Sequence, residues 1–403
     1  MTFPEWLMLM LFFFASITGI GYFIYCVQHK FVQYTVYPDY IMERAGLIPA
    51  LIRYSKDIIT VIICIVLFWH SLKFGAKKLL IYFVFFCLYG GAISLFNGLN
   101  FSVIFSGIRS FLYIFTGVWF FQVYGLSYYS IDSLKKVTII SITANLLSVL
   151  IFIGMGGKLP GSGTYRYIGL FLHTGTLGNY VYGASFFLSA YYLKTHKISK
   201  FLLAICQLFC IILCFACNSR LCTAGTIVNI IVTIMCSIQI NTKVKNIVSL
   251  FSLAILVPFI LEAVLDSSGR GGLEASASGK NVIWAQVFEE TPMHMLFGYG
   301  LGAASSTTIA LNGNVTSYTS FEGTFSVVVA QFGLVGLAIF LVLFCYILIM
   351  VIKCRYFNEF VFKVNFVCGI IIFAYSGSIF ENILMCLYCS TIYYLFNTPD
   401  CNE

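Results

Sequence analysis

Charge is what this sequence has least of. Only 9% of its 403 residues are Asp, Glu, Lys or Arg, against about 25% in a soluble domain, and so thin a supply cannot cover a surface that faces water. Histidine is scarcer still, at five residues, and no cluster of His, Asp and Glu has metal-ligand spacing, so no metal is expected. There is no Walker motif and no arguable Ser, His and Asp set, which leaves nucleotide hydrolysis and triad chemistry without a foothold. The opening "MTFPEWLMLM" lacks a basic stretch, and no small-residue cleavage motif follows, so the first apolar run is expected to stay as an anchor. No internal repeat is visible.

What is abundant is apolar length. Hydrophobic residues make up 60% of the chain and aromatics 18%. Runs of about 20 such residues recur throughout, each long enough to cross a hydrocarbon core as a helix. The fold class is therefore all-α, a polytopic membrane protein forming a single integral membrane domain over 1–403. Its spans are predicted near residues 6–27, 57–72, 79–96, 103–123, 136–154, 175–193, 201–217, 221–239, 246–264, 325–351, 361–378 and 382–397, about twelve in all. The 15 cysteines fall almost entirely inside these runs; Cys206, Cys210, Cys214 and Cys217 make a helical stripe suited to packing.

The net charge of +8 is dispersed in ones, twos and threes between spans, which points to topology and not to nucleic acid. With the N-terminus inside, the inner loops collect residues such as Lys77, Lys135, Lys136, Lys194, Lys353 and Lys363. Glu5 and Lys30, taken alone, favour the opposite orientation of the first span. One connection is long: residues 265–324 form an outer loop containing a short surface helix in "KNVIWAQVFEE" and the glycine run "LFGYGLG". That run follows no buried strand and lacks the G-x-G-x-x-G spacing, so it is not a dinucleotide cradle. Gly298, Gly300 and Gly302 are expected to form a tight turn that folds the loop over an outer cavity.

A charge within or beside an apolar span is costly, by about 2.5 to 3.5 kcal/mol at a helix centre, and so marks a functional candidate. Arg109 follows "FSVIFSGI", and Arg220 sits in the brief polar break of "FACNSRLCTAG"; both are expected to face the bundle interior. With Arg166, Arg270 and Lys280 they are candidates for holding an anionic head group, because guanidinium forks match phosphate oxygens. The competing reading has each arginine snorkelling or serving a helix end. Glu322, just before the tenth span, is a candidate general base for a sugar hydroxyl, or else an interfacial residue favoured by a helix N-terminus. His173, ahead of the sixth span, reads first as a hydrogen-bonded structural group.

The order "NSR", K-x-x-x-W (Lys280 to Trp284), "LFGYGLG" and "EGTFSVVVAQFGLVG", with "RYIGLF" upstream, resembles the bacterial O-antigen polymerase and ligase superfamily. The resemblance implies a helical glycosyltransferase of the GT-C-like kind in the inner membrane, acting at its periplasmic face, with 265–324 as the periplasmic loop and no cofactor. It implies undecaprenyl-pyrophosphate-linked oligosaccharides as donor and acceptor, membrane lipid as surroundings, and a chain-length regulator and a flippase as partners, with no nucleic acid. Arg220 and Lys280 match residues thought to hold the donor pyrophosphate; Arg166, Arg109, Arg270, His173 and Trp284 complete the substrate-binding set, and Glu322 joins Arg220 as catalytic. Two departures stand out. Lys280 replaces an arginine, and Glu322 stands where ligases carry a histidine eleven residues before Gly333. The second favours a polymerase over a ligase; a lipid-linked oligosaccharide flippase is the competitor from another class.

Overall fold

A computed structural model describes residues 1–28, 47–74, 77–155, 167–171, 174–238, 243–244, 246–247, 254, 284–304, 323–376 and 382–399. Among the described residues the regular elements are all helices: α1 (Phe3–Ala15), α2 (Ile20–Gln28), α3 (Leu47–Phe74), α4 (Lys77–Phe96), α5 (Phe101–Val123), α6 (Tyr128–Gly154), α7 (Thr174–Thr195), α8 (Lys200–Ala216), α9 (Arg220–Ser237), α10 (Pro292–Phe297), α11 (Thr324–Ile352), α12 (Phe360–Ser376) and α13 (Ile383–Asn397). Eleven of the twelve expected spans coincide with helices in this series. The ninth, at 246–264, lies almost wholly outside the described residues. Six stretches are long and apolar enough to cross a bilayer by length and composition, and four shorter apolar helices accompany them. The chain is a helical polytopic membrane protein, without the count of twelve being fixed.

Two expected spans are interrupted. The first stops at Ala15, and after a turn the Gly19 N–H donates to the Leu170 carbonyl at 2.8 Å; a Cβ there would strike the Phe171 backbone. The break is thus a docking point for residues 167–171. The tenth is kinked at Gly333, where φ is 66° and ψ is −168°. The second span, in contrast, is longer than its apolar run, because α3 carries its helix back through the polar "IRYSKD" to Leu47.

Glu5 explains how the first helix is seated. Its Oε2 accepts from the Thr2 N–H at 2.6 Å and its Oε1 from the Ser127 N–H at 2.6 Å. One buried carboxylate therefore caps α1 and meets the start of α6, two positive dipole ends at once. Contacts of this kind sort the helix ends into two sets. At the lysine-rich end, Tyr191 donates to Asp132 at 3.0 Å, Lys197 stands 4.1 Å over the Tyr128 ring, and Lys194 donates to the Tyr356 carbonyl. At the opposite end lie the Gly19–Leu170 contact and the α8–α9 turn.

The core centres on α7, which packs against α8, α9 and α13. Its buried face is polar as well as aromatic. Asn229 of α9 donates to Ser185 and Ser189 at 2.9 and 3.1 Å, Gln207 of α8 accepts from Ser185 at 2.6 Å, and Thr233 donates to Ser189 at 2.9 Å. Such interhelical bonds in membranes average about 0.6 kcal/mol and reach about 1.7, and here they tie three helices in one register. The cysteine stripe behaves as expected, with Cys206, Cys210, Cys214 and Cys217 buried and free.

Candidate functional site

Of the eight candidate residues, Arg109, Arg220 and Trp284 are described; Arg166, His173, Arg270, Lys280 and Glu322 lie outside the described residues. The three sit on different elements. Arg220 opens α9, which packs on α7, α8 and α12, whereas Arg109 lies on α5, beside α3 and α4. Trp284 packs with Val287, Leu301 and Phe332, a cluster that also holds Phe111 of α5.

The surroundings of Arg220 account for "NSR" residue by residue. α8 ends in a Schellman turn: the Ser219 N–H donates to the Cys214 carbonyl at 3.2 Å and the Asn218 N–H to the Phe215 carbonyl at 3.0 Å. Asn218 takes the left-handed position, with φ 52°, a conformation that Asn tolerates better than most side chains. Ser219 serves at once as the last residue of this turn and the N-cap of α9, but its hydroxyl makes no capping bond. Arg220 is then the first residue of α9. A cation at a helix N-terminus opposes the dipole, at a cost of roughly 0.3 to 1 kcal/mol. The same arrangement, N–H groups and a guanidinium at one positive end, is suited to an anion.

Other sequence features converge on this turn. Tyr167, the neighbour of Arg166, donates its N–H to the Ala216 carbonyl at 3.0 Å. Gly178, in the first turns of α7, presses on Ser219 so closely that a Cβ would lie 2.7 Å from the Ser219 Cβ. The Cys222 thiol approaches Asn179 Oδ1 at 3.4 Å. The segments "YIG", "TGTLGN" and "NSR" are thus brought to one place, which spacing alone did not reveal.

Arg109 has a partner that the sequence reading missed. Its Nη1 lies 3.8 Å from Asp57 Oδ2 on α3, its side chain is 37% exposed, and Tyr113 donates to the other Asp57 oxygen. Arg109 thus points toward α3, drawn by the carboxylate. Asp57 was the first residue of the expected second span, and the search for charges within spans would have found it had α3 been read at its full length.

The glycine run forms the expected turn, with φ positive at Gly298, Gly300 and Gly302. Gly298, Gly300, Leu301 and Gly302 are buried, wedged among α4, α5 and α11. The kink at Gly333 frees carbonyls in α11, and the chain supplies donors from outside: Tyr299 N–H to Ala330 at 2.8 Å and Gly300 N–H to Gln331 at 2.9 Å. Backbone meets backbone so tightly that a Cβ on Gly298 would lie 2.6 Å from Phe332 N, and one on Gly302 would collide with the Val103 carbonyl. "LFGYGLG" and "AQFGLVG" are two halves of one joint. Asn97, in the turn that follows α4, fastens it, donating to the Tyr299 carbonyl at 3.1 Å and meeting His294 Nε2 at 3.2 Å through its Oδ1, while Tyr299 donates to Glu290 at 2.8 Å. No periodicity in the sequence signals Asn97, Glu290 or His294 as partners. Among the described residues no group of three His, Cys, Asp or Glu side chains is placed to hold a metal.

Comparison with known proteins bears on both features. Residues 205–341 match the model of a family described as O-Antigen ligase, consistent with the superfamily that the chain's motifs resemble. The matched segment runs from α8 into α11 and includes the α8–α9 turn, Trp284 and both halves of the glycine joint. No curated protein matches the chain.

Proposed function

We propose that this chain, similar over residues 205–341 to the O-antigen ligase family, is an O-antigen polymerase of the bacterial inner membrane, working at its periplasmic face. The observation that carries the reading is Arg220 at the N-terminus of α9, inside the matched segment and beside the segment that leads from Arg166.

In the proposed reaction the donor is a growing glycan on undecaprenyl pyrophosphate, and the acceptor is a hydroxyl of the non-reducing sugar on a second lipid-linked repeat unit. The bond between the donor's anomeric carbon and the pyrophosphate breaks as the acceptor oxygen forms the new glycosidic bond. Negative charge then gathers on the departing pyrophosphate. Arg220, with the N–H groups of α9, offers fixed positive charge where that charge develops, which is the usual source of such rate enhancement. Arg166, Arg270 and Lys280 are assigned to the same anion, Glu322 to the acceptor proton, and Trp284 and His173 to the sugars. The glycine joint contributes indirectly: by fixing residues 295–302 to α4 and α11, it anchors the chain on either side of 305–322.

A ligase that moves glycan to lipid A core shares the family, and Glu322 in place of the ligase histidine is what favours polymerase. The two separate by band pattern in cells: loss of a polymerase leaves core with one repeat unit, and loss of a ligase leaves bare core. Arg220→Ala at normal protein level is expected to collapse the ladder to core plus one unit. An unchanged ladder would overturn the role given to Arg220, and bare core would make the chain a ligase.

A further inference from the structure

We propose that the slot between α3, α4 and α5 is a binding site for an anionic bilayer phospholipid, with the lipid phosphate at Arg109 and part of one acyl chain in the slot. The site is separate from the α8–α9 turn and does not depend on the function proposed above.

The slot is a cavity of about 240 Å3 lined by apolar groups, among them Val61, Ile65 and Phe68 of α3, Phe83 of α4, and Phe115 and Trp119 of α5. It starts one turn below the Asp57–Arg109 pair: Val61 follows Asp57 by four residues and Leu112 follows Arg109 by three. It runs down to Trp119, whose indole N–H is fixed to Ser71 Oγ at 2.9 Å. From Leu112 to Trp119 the distance is about 10 Å at 1.5 Å per residue. Val61, Ile65 and Phe68 are exposed residues, so a lipid can enter from the side.

The chemistry at the mouth is what selects the occupant. A guanidinium carries five donors, and Asp57 meets Arg109 through one nitrogen at 3.8 Å, longer than a hydrogen bond. The second Asp57 oxygen is already engaged by Tyr113. Arg109 Nε is buried with no hydrogen-bond partner among the described residues. Lys56 lies next to the pair, its Nζ 5.7 Å from the Tyr113 ring. The donors that Arg109 leaves unengaged, above an apolar slot, fit an amphiphile with a phosphate at its head. The slot's short length suits part of an acyl chain and not a long isoprenoid, and its lining residues all precede the family-matched segment.

Native mass spectrometry of the full chain, released from detergent with dioleoyl phosphatidylglycerol or dioleoyl phosphatidylcholine added in turn, tests this. Wild type is expected to retain one phosphatidylglycerol with at least tenfold preference over phosphatidylcholine. Arg109→Gln should lose that preference, and Arg109→Lys should recover part of it. Ile65→Trp, which fills the slot from an exposed position, should lose retention of both lipids while keeping the wild-type elution volume and melting temperature. Equal retention of the two lipids by wild type, or undiminished preference in Arg109→Gln, overturns the proposal. So does displacement of phosphatidylglycerol by an equimolar amount of undecaprenyl phosphate, which would make the slot part of a polyprenyl site.

Discussion

Replacing Gly333 by alanine tests whether the two glycine motifs form one joint. Gly333 holds φ 66° and ψ −168°, a region essentially confined to glycine, where other residues are strained by about 1 to 3 kcal/mol. A Cβ would also collide with the Leu296 carbonyl, so the strain cannot be absorbed with the joint closed. Opening it breaks the Tyr299–Ala330 and Gly300–Gln331 bonds, each contributing about 0.5 to 1.5 kcal/mol. Those bonds hold the closed joint equally in both proteins, so the substitution shifts the closed-to-open ratio by the strain alone, about 1 to 3 kcal/mol or roughly 5-fold to 140-fold at 1.4 kcal/mol per decade, before the collision with Leu296 adds to it. Hydrogen exchange of the peptide spanning residues 295–304, followed by mass spectrometry in detergent, reads the Tyr299 and Gly300 amides directly. Gly333→Ala is expected to speed their exchange by at least tenfold. Gly91→Ala, on a helical glycine with open space around it, is the matched control and should leave that peptide unchanged. If Gly333→Ala leaves the two amides as protected as in wild type, the joint does not rest on this glycine and the argument fails.

Two further substitutions probe the frame around the site. Glu5→Ala removes the acceptor for two helix N-termini, and with caps contributing about 0.5 to 2 kcal/mol each it is expected to lower the thermal midpoint in detergent; Glu5→Gln, which keeps amide oxygen at one of them, should lower it less. Asn229→Ala strips the donors from Ser185 and Ser189, a loss of about 1 to 3 kcal/mol at 0.6 to 1.7 per bond; a midpoint equal to wild type would mean that the polar core of α7 does not hold the helices together.

The spans were legible because apolar length is a property of the sequence itself, and eleven of them stand on helices. The interruptions at Gly19 and Gly333 were not, since each exists to receive a distant piece of chain and the apolar run continues through it. Glycine chemistry was ambiguous for a related reason. A missing Cβ lets backbone approach either a phosphate or another backbone, and only the tertiary neighbour decides between them. At Gly298 that neighbour is Phe332. The search for charges beside apolar spans singled out Arg109 and Arg220 from the sequence alone, but not the partner of Arg109, because sequence carries no distance between α3 and α5. Asp57 escaped because the reading began the second span at that residue, whereas α3 begins at Leu47.

The central claim is glycosyl transfer with Arg220 at the departing pyrophosphate, and one measurement meets it directly. Purified protein in detergent micelles, which have no two compartments to transport between, is given undecaprenyl-pyrophosphate-linked repeat units, and released undecaprenyl pyrophosphate is followed over time. Wild type is predicted to release it as longer glycans appear, and Arg220→Ala to do so about 100-fold more slowly, the scale for losing one preorganised charge or donor. No release by wild type, or release by Arg220→Ala within twofold of wild type, would contradict the claim.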